Sequence, residues 1–348
     1  MKVKSRVIAS LMVVVLALIT GCSNSTSANK EGQVHIKLAH FFPNTHPIEV
    51  DLVQPWSKAI EEATEGRVKI DSYYNQTLLQ ADAIYQGVVD GISEMGLSCF
   101  SYTRGIFPVL EAFELPGITY KNSKVATKVA WEGIQQLNPK EIQDTKLMMV
   151  IATGPGDIYT KAPVKELKDL NGMEIRATGL SAKTLEALGA TPVAMPQSEA
   201  YESLSKGVVQ GNLGPIEVLK GWNQAEVTKN LTLTPFLYNT LFFITVNNDV
   251  WDSIDEKDQE AILAINATFM DEVAAGLWDM QNEEALAWSI EKEGLQIFTL
   301  SEEEVNQWKS KLEPIQNEFV ENMNKKGFEG QKILDTVIHL SEKYNSEM

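Results

Sequence analysis

The chain reads as an α/β protein built from two facing lobes, and three observations point there. Strand-like apolar runs alternate with stretches of helical periodicity through most of its 348 residues, the pattern of parallel pairing through crossover helices. A phrase recurs: Tyr85-Gln86-Gly87-Val88-Val89-Asp90-Gly91 is echoed by Lys206-Gly207-Val208-Val209-Gln210-Gly211, as though two lobes shared a helix-to-strand unit. A late segment keeps one apolar face (Ile262, Ile265, Phe269, Val273, Leu277, Met280). About 30 residues of helix would span about 45 Å, longer than one small lobe.

The first residues are set apart before the fold is considered. Lys2, Lys4 and Arg6 precede a short apolar run, Val7 to Ile19, and small residues lead to a cysteine at Ile19-Thr20-Gly21-Cys22. Residues 1–21 read as a secretory signal peptide. The cysteine motif resembles that of bacterial lipoproteins, which implies lipidation of Cys22, anchorage to the cell membrane and an extracytoplasmic location. Residues 22–33 are polar and suit a flexible tether. No other apolar run looks long enough to span a membrane. Without Cys22, Cys99 has no partner for an internal disulfide, and its apolar setting suits an inert buried thiol.

Processing removes three of 30 basic residues and none of the 47 acidic ones, so the formal charge moves from −17 to about −20. That charge offers no electrostatic footprint for nucleic acid. An anionic ligand would need local positive charge supplied inside its site.

The elements follow in order. Val34 to His40 alternates as a strand, Phe41 to Pro47 is a loop, and Ile48 to Thr64 is predicted as a helix ended by Gly66. Val68 to Tyr74 and Glu94 to Leu97 are predicted strands, with helix between them to about Gln86. Phe107 to Leu115 completes the outline of the first lobe. Asn122 to Leu137 is predicted helical and Lys146 to Ala152 a buried strand. Thr153-Gly154-Pro155-Gly156-Asp157 lacks phosphate-cradle spacing and reads as a cleft wall or a hinge. Met173 to Arg176, Thr191 to Ala194 and Val208 to Leu213 are predicted strands, separated by helices over 181–188 and 198–206. Thr232 to Asn247 is a connection and then a strand. Ser253 with Glu256 reads as a capping box that opens the long helix. Ser301 with Glu304 opens another, and an amphipathic piece runs from Gly330 to Tyr344. Residues 34–152 are expected to form lobe I and 153–240 lobe II. Residues 241–348 supply a return strand to lobe I, the long spanning helix and the C-terminal helices.

Catalytic chemistry finds little support. The four histidines (His35, His40, His46, His339) show no zinc-ligand spacing, and no nucleophile elbow is present. Arg176 stands out instead: it ends a strand, where open α/β sheets bind ligands. A surface pair with Glu174 is its alternative reading, as a lining role for His40 has a loop-capping alternative. Trp131, Trp222, Trp278 and Trp288 read as core or interface residues.

The stretch from Asp169 to Gly211 (DLNGMEIR … LGATPVAMPQSEAYESLSKGVVQG), with IKLAHFFPNTHP and NQTLLQADAIYQGVVDG before it, resembles the solute-binding proteins of TRAP transporters, of the DctP type. The resemblance covers nearly all of the chain after the signal peptide. It implies a two-lobed periplasmic-binding-protein-like fold with hinge strands and a long helix spanning both lobes. It also implies capture of a small organic carboxylate in the interlobe cleft and delivery to TRAP permease subunits, without enzymatic turnover, cofactor or metal. Arg176 occupies the family's carboxylate-pairing position. The expected ligand-binding set is Arg176, His40, Phe41, Ser98, Phe100, Gly156, Asp157, Gln197, Asn212 and Gly214. A second arginine common in the family is missing where Gly154-Pro155-Gly156-Asp157 stands, and Asn212 is displaced by two residues relative to the asparagine before the family's proline. Fewer charges imply a monocarboxylate with an apolar or aromatic body. A binding lipoprotein for another importer, a ligand sensor, and less readily a secreted enzyme are the alternatives.

Overall fold

The computed structural model describes residues 33–103 and 105–348. The signal-peptide run, Cys22 and the tether up to residue 32 lie outside the described residues. Eleven strands are described: β1 Val34–His40, β2 Val68–Tyr73, β3 Met95–Cys99, β4 Thr145–Ala152, β5 Asp157–Thr160, β6 Glu174–Ala177, β7 Thr191–Ala194, β8 Gly211–Gly214, β9 Asn230–Leu233, β10 Leu241–Asn247 and β11 Gln296–Thr299. They form two sheets, ordered β2-β1-β3-β10-β4 and β11-β9-β5-β8-β6-β7. In the first, β1, β2 and β3 run parallel and β10 runs against both β3 and β4. In the second, β6, β7 and β8 run parallel and β5 runs against both β8 and β9. The two lobes therefore repeat one pattern of strand directions, with helices packed on each sheet. The α/β two-lobed fold expected from the sequence is the one observed.

The echo leads into β3 and β8, which hold the same place in the two patterns. Its glycines differ in use, however. Gly87 lies inside the helix Ile84–Val89 against the Leu79 side chain, and the turn is made at Gly91, with φ +70°. In the second copy Gly207 itself caps the helix Gln197–Lys206, with φ +76°. The first copy stops short of its strand, since β3 begins at Met95, whereas the second runs directly into β8, whose first residue is Gly211.

Other expectations need correction. The predicted helix over 48–64 is a π-helical turn, Ile48–Val53, followed by an α-helix, Gln54–Ala63. The Ser253–Glu256 capping box does not form: the Ser253 hydroxyl donates back to the Val250 carbonyl, closing the short helix Asn248–Asp252, and Asp255 stands at the N-cap. Strands β5, β9 and β11 were not predicted. Each is four residues long, too short for alternation to declare itself.

The long helix runs from Glu256 to Glu293, 38 residues or about 57 Å. A π turn, Met270–Ala274, interrupts it. By length and apolarity it could cross a membrane, contrary to expectation, yet Ile262 and Leu277 of its apolar stripe are buried inside the protein, while Met280, expected on the same face, is exposed. Its first half packs on the helix Gln54–Ala63, where Trp56 Nε1 donates to Asn266 Oδ1 at 2.8 Å. Its second half packs on Ser123–Leu137 in the first lobe and on Val218–Gly221 in the second, with Trp278 fully buried. The helix thus touches both lobes. Glu302–Lys325 then lies on the second-lobe helix Leu180–Ala187, and Gly330–Glu347 returns to Ser123–Leu137.

Besides the long helix, which carries the chain from β10 in one sheet to β11 in the other, two short crossings join the sheets side by side. One links β4 to β5 through Thr153–Gly156; the other links β9 to β10 through 234–240. They are bonded to each other: Thr153 N donates to Thr240 O at 3.0 Å and Gly156 N to Tyr238 O at 3.1 Å.

Candidate functional site

Strand β6 lies between β7 and β8, with Arg176 in register with Val193 and Asn212. The sheet thus carries Arg176 inward, and it is only 2% exposed. Its Nε donates to Met195 O at 3.0 Å, Nη1 to Asn212 Oδ1 at 3.4 Å and Nη2 to the Tyr102 hydroxyl at 3.3 Å. All three acceptors are neutral. Glu174, the surface partner considered from sequence, is not among its bonded neighbours; its backbone N–H is held by Gln210 Oε1. Among the described residues no carboxylate is bonded to this guanidinium, and a buried charge left unpaired is costly unless something anionic joins it.

Arg176 borders a small interlobe cavity. The first lobe contributes Phe41, Phe42, Cys99, Tyr102 and Phe242, the second Thr178, Gln197, Pro215, Glu217, Val218 and Trp222, and the crossings Thr153 and Tyr238. Its walls are largely aromatic: Phe41 stacks on Phe42 at 4.4 Å between centroids and approaches Tyr102 at 5.4 Å and Trp222 at 6.1 Å. The free volume is about 20 Å³, little more than one water needs. A ring-sized guest requires the lobes to part. An outer cleft of about 420 Å³, lined by Asp82, Ser101, Ala194, Met195 and Pro196, shares Tyr102 and Thr178 with the inner cavity. Tyr102 therefore stands between the two spaces.

Two contacts tie the lobes across this cavity. The Tyr102 hydroxyl, on the first lobe, accepts from Gln197 N at 2.9 Å as well as from Arg176. His46, also on the first lobe, meets Glu217 Oε2 through Nε2 at 3.2 Å, with both side chains buried. Because His46 Nδ1 accepts the Ile48 N–H at 3.1 Å, Nε2 carries a proton and is the donor to Glu217.

The other candidate residues take varied places. Phe41 and Gln197 line the cavity. Asn212 sits behind Arg176 and donates through Nδ2 to Gln224 at 2.9 Å. His40 lies behind the wall, its Nε2 at 2.8 Å from Glu49 Oε2. Burial pushes the Glu49 carboxyl up, but bonds from His40, Gln54 and Ser72 outweigh it and hold it below its usual range. Ser98 Oγ donates to Ala81 O, away from the cavity. Phe100 borders a second interlobe space of about 300 Å³, beside Glu114 and Lys183. Gly156 is pressed against Tyr238 and Gly214, and the Gly214 carbonyl accepts from the Tyr159 hydroxyl. Asp157 is buried and accepts from Thr234 N; burial pushes it up to about 7, partly offset by that bond. Cys99 is buried and free, and burial pushes its thiol well up, as suits an unreactive group.

Thr153 lies in the stretch read from sequence as a cleft wall or a hinge. Sequence reasoning did not single out Phe42, Tyr102, Glu217, Val218, Tyr238 or Phe242 as lining residues, and it assigned Trp222 to core or interface. Most of these lie in turns and crossings, where no periodicity marks them.

Comparison with known proteins gives a consistent picture. The model of the bacterial extracellular solute-binding protein family 7 (DctP) matches residues 38–322. A marine metagenome TRAP solute-binding protein from an unidentified microbe, specific for aromatic acid ligands and in complex with metahydroxyphenylacetate, superposes with a TM-score of 0.85 at 28% identity, over 90% of this chain and 100% of that one. A TRAP periplasmic solute-binding protein from Desulfovibrio salexigens DSM2638, described as an open complex, gives 0.79 at 32% identity, over 91% and 98%. A TRAP solute-binding protein from Rhodoferax ferrireducens T118, in complex with copurified benzoate, gives 0.81 at 25% identity, over 90% and 99%.

Proposed function

Because the chain belongs to family 7 of the bacterial extracellular solute-binding proteins, we propose that its cleft captures a small monocarboxylate with an aromatic or apolar body and delivers it to a TRAP-type membrane permease. The chain is an extracytoplasmic solute receptor and not an enzyme. The observation that carries the ligand class is a buried guanidinium, Arg176, with no carboxylate bonded to it among the described residues and facing a cavity walled by aromatic rings. The aromatic-acid complexes of two similar structures support the same reading. In this proposal lipid on Cys22, at Ile19-Thr20-Gly21-Cys22, anchors the receptor to the cell membrane.

The energetics fit capture by closure. Micromolar affinity requires about 8 kcal/mol. Charged hydrogen bonds from Arg176 contribute about 1.5–3 kcal/mol net each, and its planar fork suits a bidentate carboxylate. A ring that buries on the order of 150–250 Å² adds about 4–6 kcal/mol at about 25 cal/mol per Å². That burial is complete only when both lobes contact the ring. The Tyr102 and His46 contacts then hold the closed form.

The test is thermal-shift screening of the purified protein against benzoate, phenylacetate, hexuronates, sugar acids and dicarboxylates, with mass spectrometry of whatever co-purifies. Aromatic monocarboxylates should stabilise it most. Stabilisation by sugar acids or dicarboxylates alone would sink the reading.

A further inference from the structure

The cavity holds polar groups that a plain aromatic carboxylate leaves unmatched. Trp222 Nε1 is shielded from solvent and has no hydrogen-bond partner among the described residues, although its indole lines the cavity. An indole N–H only donates, and a buried donor without an acceptor calls for an explanation. Close by is Glu217, whose Oε2 is taken by His46; no described residue bonds its other oxygen. These groups form one cluster. The rings of His46 and Trp222 lie 5.8 Å apart, and an added Cβ on Gly221 would sit 2.7 Å from Glu217 Oε2 and 3.1 Å from His46 Nε2. Glycine at 221 thus makes room for the Glu217–His46 pair next to the indole.

We propose that this cluster reads a hydroxyl group on the body of the bound acid. The hydroxyl oxygen accepts from Trp222 Nε1, and its proton is donated to Glu217. A donor-only group beside an acceptor-only group is satisfied by a group that can both accept and donate, which a hydroxyl does. A methyl ether accepts but cannot donate, an ammonium donates but cannot accept, and a bare ring does neither. The preferred ligand is therefore a hydroxylated aromatic or apolar monocarboxylate. Because Glu217 also binds His46 of the opposite lobe, the hydroxyl is read at a point where the two lobes meet. Gln197 Nε2, likewise shielded and unpartnered in the same cavity, adds a second donor for ligand oxygen.

This inference rests on the aromatic-monocarboxylate reading, and the experiment separates the two. Calorimetry on the purified protein compares benzoate with 2-, 3- and 4-hydroxybenzoate and with the methyl ether of the best isomer. At least one hydroxy isomer should bind about 10- to 100-fold more tightly than benzoate, since benzoate leaves the buried donor unpaired. Its methyl ether should lose that gain. In Trp222→Phe and in Glu217→Gln the ratio of the two affinities should fall toward one, whatever happens to either affinity alone. Benzoate binding as tightly as every hydroxybenzoate overturns the inference and leaves the monocarboxylate reading standing. Failure of all these acids to bind overturns both.

Discussion

Replacing Arg176 with methionine separates holding a ligand from holding the fold. In the protein as it stands the guanidinium has three neutral acceptors at 3.0, 3.3 and 3.4 Å. Only the first is at a good N–H···O distance, so it contributes about 1.5–3 kcal/mol and the others less. Against them stands the cost of keeping a cation from water, several kcal/mol after relaxation. The two sides nearly cancel. Methionine keeps much of the apolar stem and discards the charge. The ligand-free Arg176→Met protein should melt within about 3 °C of wild type, since 1 kcal/mol corresponds to about 1–2 °C for a chain of this length. Binding responds quite differently. Truncating a buried charged partner costs about 2–5 kcal/mol, so Kd rises on the order of 100-fold or more. At a ligand concentration 100 times the wild-type Kd, wild type gains about 2.7 kcal/mol and the variant about 0.4 kcal/mol or less. Scanning fluorimetry with and without ligand, with calorimetry alongside, reads both quantities. Arg67→Met is the contrast. Arg67 forks onto the nearly buried Asp258 through two bonds of 2.8 Å; its loss strands that carboxylate, so the melting temperature should drop while the ligand shift persists. A collapse of the ligand-free Arg176→Met protein, or an undiminished ligand shift in it, refutes the reasoning.

Two further outcomes can be checked. Tyr102→Phe removes the hydroxyl that accepts from Gln197 N and Arg176 across the lobes, so stopped-flow traces should show dissociation about 5- to 30-fold faster, the equivalent of about 1–2 kcal/mol; an unchanged off-rate would mean that the contact does not hold the closed form. Stability should also depend on pH through two carboxyls at the crossings. Burial pushes Glu114 up to about 8 and Asp157 up to about 7, each partly offset by a backbone N–H, from Leu241 and Thr234 respectively. Each keeps a proton in the fold that the unfolded chain sheds near pH 4. Their stabilising contribution is therefore complete below that pH and is lost as pH rises through 7 and 8. Melting temperature should fall between pH 5 and 8 more steeply in wild type than in Glu114→Gln; parallel profiles would count against it.

What could be read in advance depended on the kind of signal. The unit from Met173 to Lys206 was legible because glycines punctuate it and its helices keep their period; the predicted strand over 191–194 matches β7 residue for residue. Arg176 was legible because it is a cation at the end of a strand. By contrast, β9 and β11 are four-residue strands set by their neighbours in the sheet: β9 pairs with β5 and β11, and β11 is the edge strand that β9 receives. Tyr102 and Trp222 come to the cavity from turns, and Glu217 from a loop between β8 and a one-turn helix. Their common wall is made by the approach of two lobes, which no local period records. His40 and Asp157 are polar residues at strand ends like Arg176, yet one bonds Glu49 and the other Thr234 N; strand position alone could not tell which way such a residue faces.

The helix Glu256–Glu293 imposes a mechanical condition on the cleft. A rod seated on both lobes cannot stay straight while they rotate apart, so the crossings at 153–156 and 234–240 are not free pivots. Parting the lobes must flex the rod or unseat one end, and either response pulls the lobes back together. The softest point is the π turn Met270–Ala274, where the bonding ladder changes step and where the other π turn, Ile48–Val53, packs against it. On this geometry the rod would act as a leaf spring that limits how wide the cleft gapes. A receptor so built would have an opening angle set by the bending stiffness of one helix rather than by its ligand.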